Sequence, residues 1–166
     1  MEVTYKLTQE DFVDSFIAHR HRRWSFRILV SITSIFFGGS LFLIVLRPTA
    51  ETVSNVAPML AVAAVWGVLL WVSPRKGGRS QFTKQPSAQG LITLIWDTSG
   101  VHWRWDGGTA NIEYKNFIRF LESKHHFLLY SSPACFNIVP KRAFTPEQLS
   151  EFRSLLGEHI SGITRK

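Results

Sequence analysis

Cysteine is nearly absent from this chain of 166 residues: Cys135 is the only one. No disulfide can form within the chain, which excludes a disulfide-stapled secreted fold and suits a reducing compartment. The patterns that carry common chemistries are missing too. There is no Gly-x-Ser-x-Gly, no phosphate-cradling glycine loop and no His-Glu-x-x-His. The histidine pairs His19/His21 and His125/His126 lack cysteine or carboxylate neighbours in a ligand pattern, and arginines crowd the first pair, where they repel a cation. Glu113 and Glu122 fall on predicted strands, with nothing to pair them as acid and base. No metal, no cofactor and no enzymatic activity are expected.

Charge is missing from two long stretches. Between Arg27 and Arg47 stand 19 uncharged residues, "ILVSITSIFFGGSLFLIVL". As a helix they cover about 28 Å, close to the hydrocarbon thickness of a bilayer. A second uncharged stretch runs from Thr52 to Pro74 around "MLAVAAVWGVLLWV" and is closed by "SPRKGG". Buried helices of a soluble protein normally keep a polar face, and these show almost none. Two membrane spans are therefore expected, at about 28–46 and 56–73, joined by a tight loop holding Arg47, Pro48, Glu51 and Asn55. A cleaved signal peptide is disfavoured: 27 residues precede the first run, no small-x-small site follows it, and a second span comes at once. Gly38-Gly39 and Ala61, Ala63, Ala64 and Gly67 are small enough for close helix packing. They suit either a hairpin whose helices pack together or a homodimer face.

The formal net charge is +7, and its distribution orients the hairpin. Residues 1–27 hold 5 basic and 4 acidic residues, residues 28–74 hold one of each, and residues 75–166 hold 13 and 7. Arg20, Arg22, Arg23 and Arg27 stand before the first span; Arg75, Lys76, Arg79 and Lys84 follow the second. By the positive-inside rule both termini are expected in the cytoplasm. Trp24 and Trp71 then fall near the cytoplasmic interface, where indoles are favoured. Arg20, Arg22, Arg23, Arg27, Arg75, Lys76 and Arg79 are the expected contacts to anionic lipid headgroups, each contributing about 1 kcal/mol near the surface.

On either side of the hairpin the chain has the patterns of water-exposed structure. "VTYKL" alternates Val3, Tyr5 and Leu7 against polar neighbours, a short strand. Thr8 and Asp11 form an acidic version of a capping box, opening a helix whose Phe12, Val13, Phe16, Ile17 stripe suits packing on the soluble domain, the favoured reading, or lying in the lipid interface. Residues 1–24 are thus read as a strand and amphipathic helix, 25–74 as the hairpin, and 75–166 as a cytoplasmic domain. Residues 75–90 read as a linker with one strand around Gln81–Lys84. Strands then follow quickly: "LITLIWD", "VHWRW", the hairpin turn "DGGT", "ANIEY", "FIRFLES", "FLLYSS" and "CFNIVP". "FTPEQLSEFRSLLGEHI" changes to helical spacing, with Thr145 as cap, Pro146 first in the helix and Gln148 three after the cap. The expected fold class is α+β: a two-helix transmembrane hairpin, then an antiparallel sheet or barrel of six or seven strands capped by a C-terminal helix. Strands first and a helix last is the order of a pleckstrin-homology-like domain.

The residues also carry a family likeness. "GVHWRW", "GGTANIEYKNFIRFLESKHHFLLYSSPACFNIVPKRAF" and "EFRSLL", with the "YKLTQEDF" arm and the hairpin, resemble the YcxB-like family of small bacterial membrane proteins. The most specific piece is "IVPKRAFTPEQLSEFRSLL", from Ile138 to Leu156. The resemblance implies an architecture and leaves the activity open. The expected role is non-catalytic: the cytoplasmic domain binds a protein or an anionic-lipid partner at the membrane surface. A different class of role is immunity, protection against a membrane-acting toxin, which would make that toxin the protein partner. Lys141 and Arg142, after the strand stop at Pro140, are the candidate partner-binding residues; as solvated residues in a tight connection they would bind nothing. "HWRW" interleaves base and aromatic as nucleic-acid binders do, but alternating tryptophans more often line a core. No nucleic-acid partner is expected.

Overall fold

The computed structural model describes all residues but Arg23, Ser161, Gly162 and Lys166, and describes residues 21, 22, 24, 25, 87 and 163–165 by their backbone alone. In chain order come β1 (Glu2–Lys6), α1 (Gln9–Arg22), α2 (Trp24–Leu46), α3 (Ala50–Lys84), β2 (Leu91–Trp96), β3 (Gly100–Trp105) and β4 (Gly108–Glu113). Then follow β5 (Arg119–Glu122), β6 (His126–Tyr130), β7 (Phe136–Pro140), α4 (Pro146–His159) and β8 (Ile163–Arg165). The chain divides into two compact units, one of residues 1–15 and 78–166 and one of residues 16–77. The fold is α+β, with two long apolar helices, antiparallel sheets and a C-terminal helix.

The first unit holds two sheets of four strands, ordered β1-β2-β3-β4 and β7-β6-β5-β8. Every pairing is antiparallel except β5 with β8. The N-terminal strand is part of the domain. Val3 stands opposite Leu94 and Tyr5 opposite Ile92, so the alternation of "VTYKL" meshes with that of "LITLIW". Val3, Tyr5, Leu7, Ile92, Leu94, Trp96, Val101 and Trp103 form one buried face. The "DGGT" turn is a hairpin as expected, with Trp105 paired to Gly108.

In α4, Thr145 accepts from the Gln148 backbone N–H and Gln148 bonds back to the Thr145 backbone, so the expected capping box is formed. Phe152 and Leu156 are fully buried. Phe152 joins the sheets: its ring lies 5.3 Å from Trp96 of β2 and 5.4 Å from Phe127 of β6, with Phe144 5.2 Å away. Aromatic pairs at these spacings add stabilisation beyond the area they bury.

The expected strand around Gln81–Lys84 is not formed, and "SPRKGG" does not end the second helix. Helix α3 runs on through Pro74, Gly77 and Gly78 to Lys84. Proline removes one helical hydrogen bond and glycine is a poor helix former, so local preference alone would stop the helix here. Packing against α1 overrides it. Phe82 meets Phe12 edge to face at 5.5 Å. Gly78 lies against the α1 backbone so closely that a Cβ there would stand 2.7 Å from Val13 Cα. Backbone cannot give way as a side-chain tip can. Gly78→Ala should therefore destabilise the domain by about 1–3 kcal/mol, read as a lower denaturation midpoint. Gly77→Ala, whose Cβ meets only the Phe16 ring at 3.6 Å, serves as the mild comparison.

In the second unit, α2 and α3 present their apolar side chains outward. Ile35 is 72% exposed, Val45 77% and Trp71 63%. The segments Phe26–Leu46 and Ala50–Lys84 are long and apolar enough to cross a membrane.

Candidate functional site

Two carboxylates are buried in the domain, and each gathers hydrogen-bond donors. Asp11 opens α1. Its Oδ2 accepts from the Thr8 backbone N–H at 2.7 Å and from the Thr8 hydroxyl at 3.0 Å, which is the acidic capping box expected from the sequence. The same carboxylate also accepts from residues far along the chain. His126 Nε2, in β6, lies 2.7 Å from Oδ1. Arg142 forks onto both oxygens, with Nη2 2.6 Å from Oδ2, and donates to the Lys6 carbonyl at 2.9 Å. Asp11 and His126 are almost fully buried, and the His126 Nδ1 has no hydrogen-bond partner among the described residues. Burial alone would raise the Asp11 carboxyl; the hydrogen bonds from His126, Arg142 and Thr8 outweigh it and hold the group far below the usual carboxylate range.

The second carboxylate is Glu122, at the end of β5. Arg153 of α4 grips it with two nitrogens, Nη2 at 2.8 Å from Oε1 and Nε at 3.1 Å from Oε2. Lys141 Nζ lies 2.8 Å from Oε1 and 5.2 Å from the Phe127 ring centroid. Burial would raise Glu122, but the bonds from Arg153 and Lys141 prevail and its pKa is lowered. A short turn at Lys141–Ala143 thus sends adjacent side chains to opposite clusters. Lys141 ties the turn to β5, sharing Glu122 with Arg153 of α4, and Arg142 ties it to α1. The two residues read from the sequence as partner-binding or as solvated are engaged inside the domain, although half of the Arg142 side chain remains exposed.

The expected lipid-contacting residues separate by surroundings. Arg27, Lys76 and Arg79 are exposed. Arg20 donates to the Ser73 hydroxyl, and its guanidinium lies 5.0 Å from the Phe26 ring centroid. Arg75 stacks 4.0 Å over the Trp71 ring and donates to the Trp71 carbonyl at 2.7 Å. Arg20 and Arg75 line one cavity. Arg22 is described by its backbone within α1, and Arg23 lies outside the described residues. Among the described residues no cluster of three or more His, Cys, Asp or Glu could hold a metal ion.

Sequence reading placed Asp11 as a cap and left Glu122 without a role. The missed signal for Glu122 is its setting: a carboxylate inside "FIRFLESKHHFLLY" enters an apolar strand pair, where it needs a cation. Fold and clusters define a class, an α+β domain whose first and second strands flank a pair of long apolar helices. Residues 96–156, from the last residue of β2 into α4, match the family of YcxB-like proteins, in line with the resemblance read from the sequence. The matched segment contains His126, Glu122, Lys141, Arg142 and Arg153; Asp11 lies outside it. Neither a curated protein nor a solved structure matches the chain.

Proposed function

We propose that this chain is a non-catalytic protein of the bacterial inner membrane, with both termini cytoplasmic and a pleckstrin-homology-like domain that binds its partner at the anionic membrane surface. The observation that carries this reading is the outward apolar face of the second unit: in each candidate span only 6% of the most apolar 18-residue window is buried. Soluble proteins rarely expose contiguous apolar patches above a few hundred Å². Lipid removes that cost, and helices satisfy their own backbone groups within it. The domain's buried carboxylates are consumed by structural ion pairs, and its excess of base, 13 basic against 7 acidic residues over 75–166, favours an anionic surface.

Full-length protein should stay with membranes through alkaline carbonate extraction and float with vesicles. A reporter after Lys166 should be active only on the cytoplasmic side. Recovery in the soluble fraction, or a periplasmic signal, overturns the respective part. Ile35→Arg, near the middle of α2, should lower insertion by about 2.5–3.5 kcal/mol on the translocon scale, measured as the inserted fraction in a glycosylation or protease-protection assay.

A further inference from the structure

We infer that the second unit carries a specific site for one anionic phospholipid, with the phosphate held between Arg20 and Arg75 and an acyl chain laid toward Gly67. This deepens the membrane reading and rests on it. A cavity of about 470 Å³ opens among the end of α1, the first half of α2 and the second half of α3. That volume lies within the range of small-ligand sites, about 300–1,000 Å³. It has room for a headgroup phosphate and the upper part of one chain, the rest of the lipid remaining in the bilayer.

The walls are divided in character. At one end stand Arg20 and Arg75; toward the other the lining is Val30, Leu70 and Gly67 with the short hydroxyl side chains of Thr33 and Ser34, the Thr33 hydroxyl donating to the Leu29 carbonyl. Along α3, Gly67 is eight residues from Arg75, about 12 Å at helical rise, so the apolar end lies deeper along the helix than the cationic end. Such a site suits an amphiphile with an anionic head.

The two arginines are held in place without being neutralised. Arg20 is positioned by Ser73 and the Phe26 ring, and Arg75 by the Trp71 ring and carbonyl. Among the described residues no carboxylate lies within ion-pair distance of either. Lys141, Arg142 and Arg153 of the domain, by contrast, are all paired. A guanidinium has five donors in a fork that fits a phosphate, and these two have used few of theirs. At the deep end, a Cβ built on Gly67 meets nothing within 4 Å, which leaves the space open for a chain.

The test uses the full-length protein in vesicles of equal parts phosphatidylglycerol and phosphatidylcholine, extracted with mild detergent. The lipid retained per protein is then counted by intact-complex mass spectrometry. Wild type should keep phosphatidylglycerol over phosphatidylcholine. Arg20→Gln with Arg75→Gln should lower that retention about tenfold. Gly67→Leu should lower it too, by filling the chain's space with both arginines intact. Arg27→Gln with Lys76→Gln removes equal charge from general headgroup contacts outside the cavity and should lower retention much less than the Arg20/Arg75 pair does. Arg22, Arg23, Arg27, Lys76 and Arg79 remain in the first double variant, so it should still float with vesicles. Absence of preference in wild type overturns the site, as does retention by the Arg20/Arg75 variant or equal loss in the Arg27/Lys76 variant. A wild-type chain that does not enter vesicles overturns the membrane reading, and the site with it.

Discussion

A chain that begins at Gly78 should fail to fold, although it retains seven of the eight strands and the C-terminal helix. The missing residues 1–15 supply Val3, Tyr5, Leu7 and Phe12, each at most 6% exposed. Burying four such side chains contributes about 6–12 kcal/mol, as much as the whole stability of a typical domain, about 5–15 kcal/mol. Their loss would also turn β2 into an unpaired edge with Ile92, Leu94 and Trp96 uncovered, a template for aggregation. The remedy follows from the same geometry. Gly78 stands directly against Val13, so the two segments of the unit are already neighbours. Joining residues 1–15 to 78–166 through about six Gly/Ser residues, which reach roughly 13 Å, should restore a soluble, cooperatively unfolding domain. Circular dichroism and thermal melts of the two chains decide it. A folded 78–166 chain, or a joined chain that does not fold, contradicts the assignment of β1 to this sheet.

Asp11→Ala should remove about 3–5 kcal/mol from the joined domain or the full chain in detergent micelles, the usual cost of breaking a buried pair by deleting one partner. The change leaves the buried His126 ring without its acceptor, the Arg142 fork without both oxygens, and the Thr8 N–H uncapped. Asp11→Asn keeps the shape and loses the charge, so it should fall between. The effect depends on acidity in a defined direction. The Asp11 carboxyl titrates lower in the folded domain than in the unfolded chain, where it lies near pH 4. Its stabilisation is therefore complete above the unfolded value and is lost as the pH falls through the folded one. Glu122, also lowered, acts in the same direction. Wild type should lose stability steadily below about pH 4, and Asp11→Asn should lose less over that range while starting lower at neutral pH. Urea melts across the acid range measure both. Equal acid sensitivity in the two proteins would remove Asp11 from the account. Asp11 and His126 share one bond, so the double variant to alanine should cost less than the sum of the singles, by about 0.5–3 kcal/mol.

Much of the architecture was legible because it is written locally. Nineteen uncharged residues, the alternation in "VHWRW", the "DGGT" turn and the Thr145/Gln148 box each announce their structure within a few positions. What escaped was non-local. Nothing in "VTYKL" says that its partner begins at Leu91, because pairing between distant strands leaves no periodic trace at either end. Pro74 and Gly77-Gly78 read as a helix stop because their local preferences are those of a stop; Phe12, Val13 and Phe82 overrule them from outside the segment. Lys141 and Arg142 read as solvated or partner-seeking since a cation's partner is visible only when the fold brings Glu122 and Asp11 beside it. The short strand β8 gave no alternation to read, being three residues long.

The pairing of β1 with β2 also constrains how the intervening chain can travel. One sheet cannot be hydrogen-bonded through a bilayer, so a chain that leaves that sheet after Lys6 and rejoins it at Leu91 must return to the side it left. The number of crossings between them is then even, whatever the flanking charges favour. With two candidate spans available, a frozen single crossing would strand β1 across the membrane from the rest of its sheet. In the membrane reading proposed above, a mistake in insertion would thus register as a failure of the domain to fold.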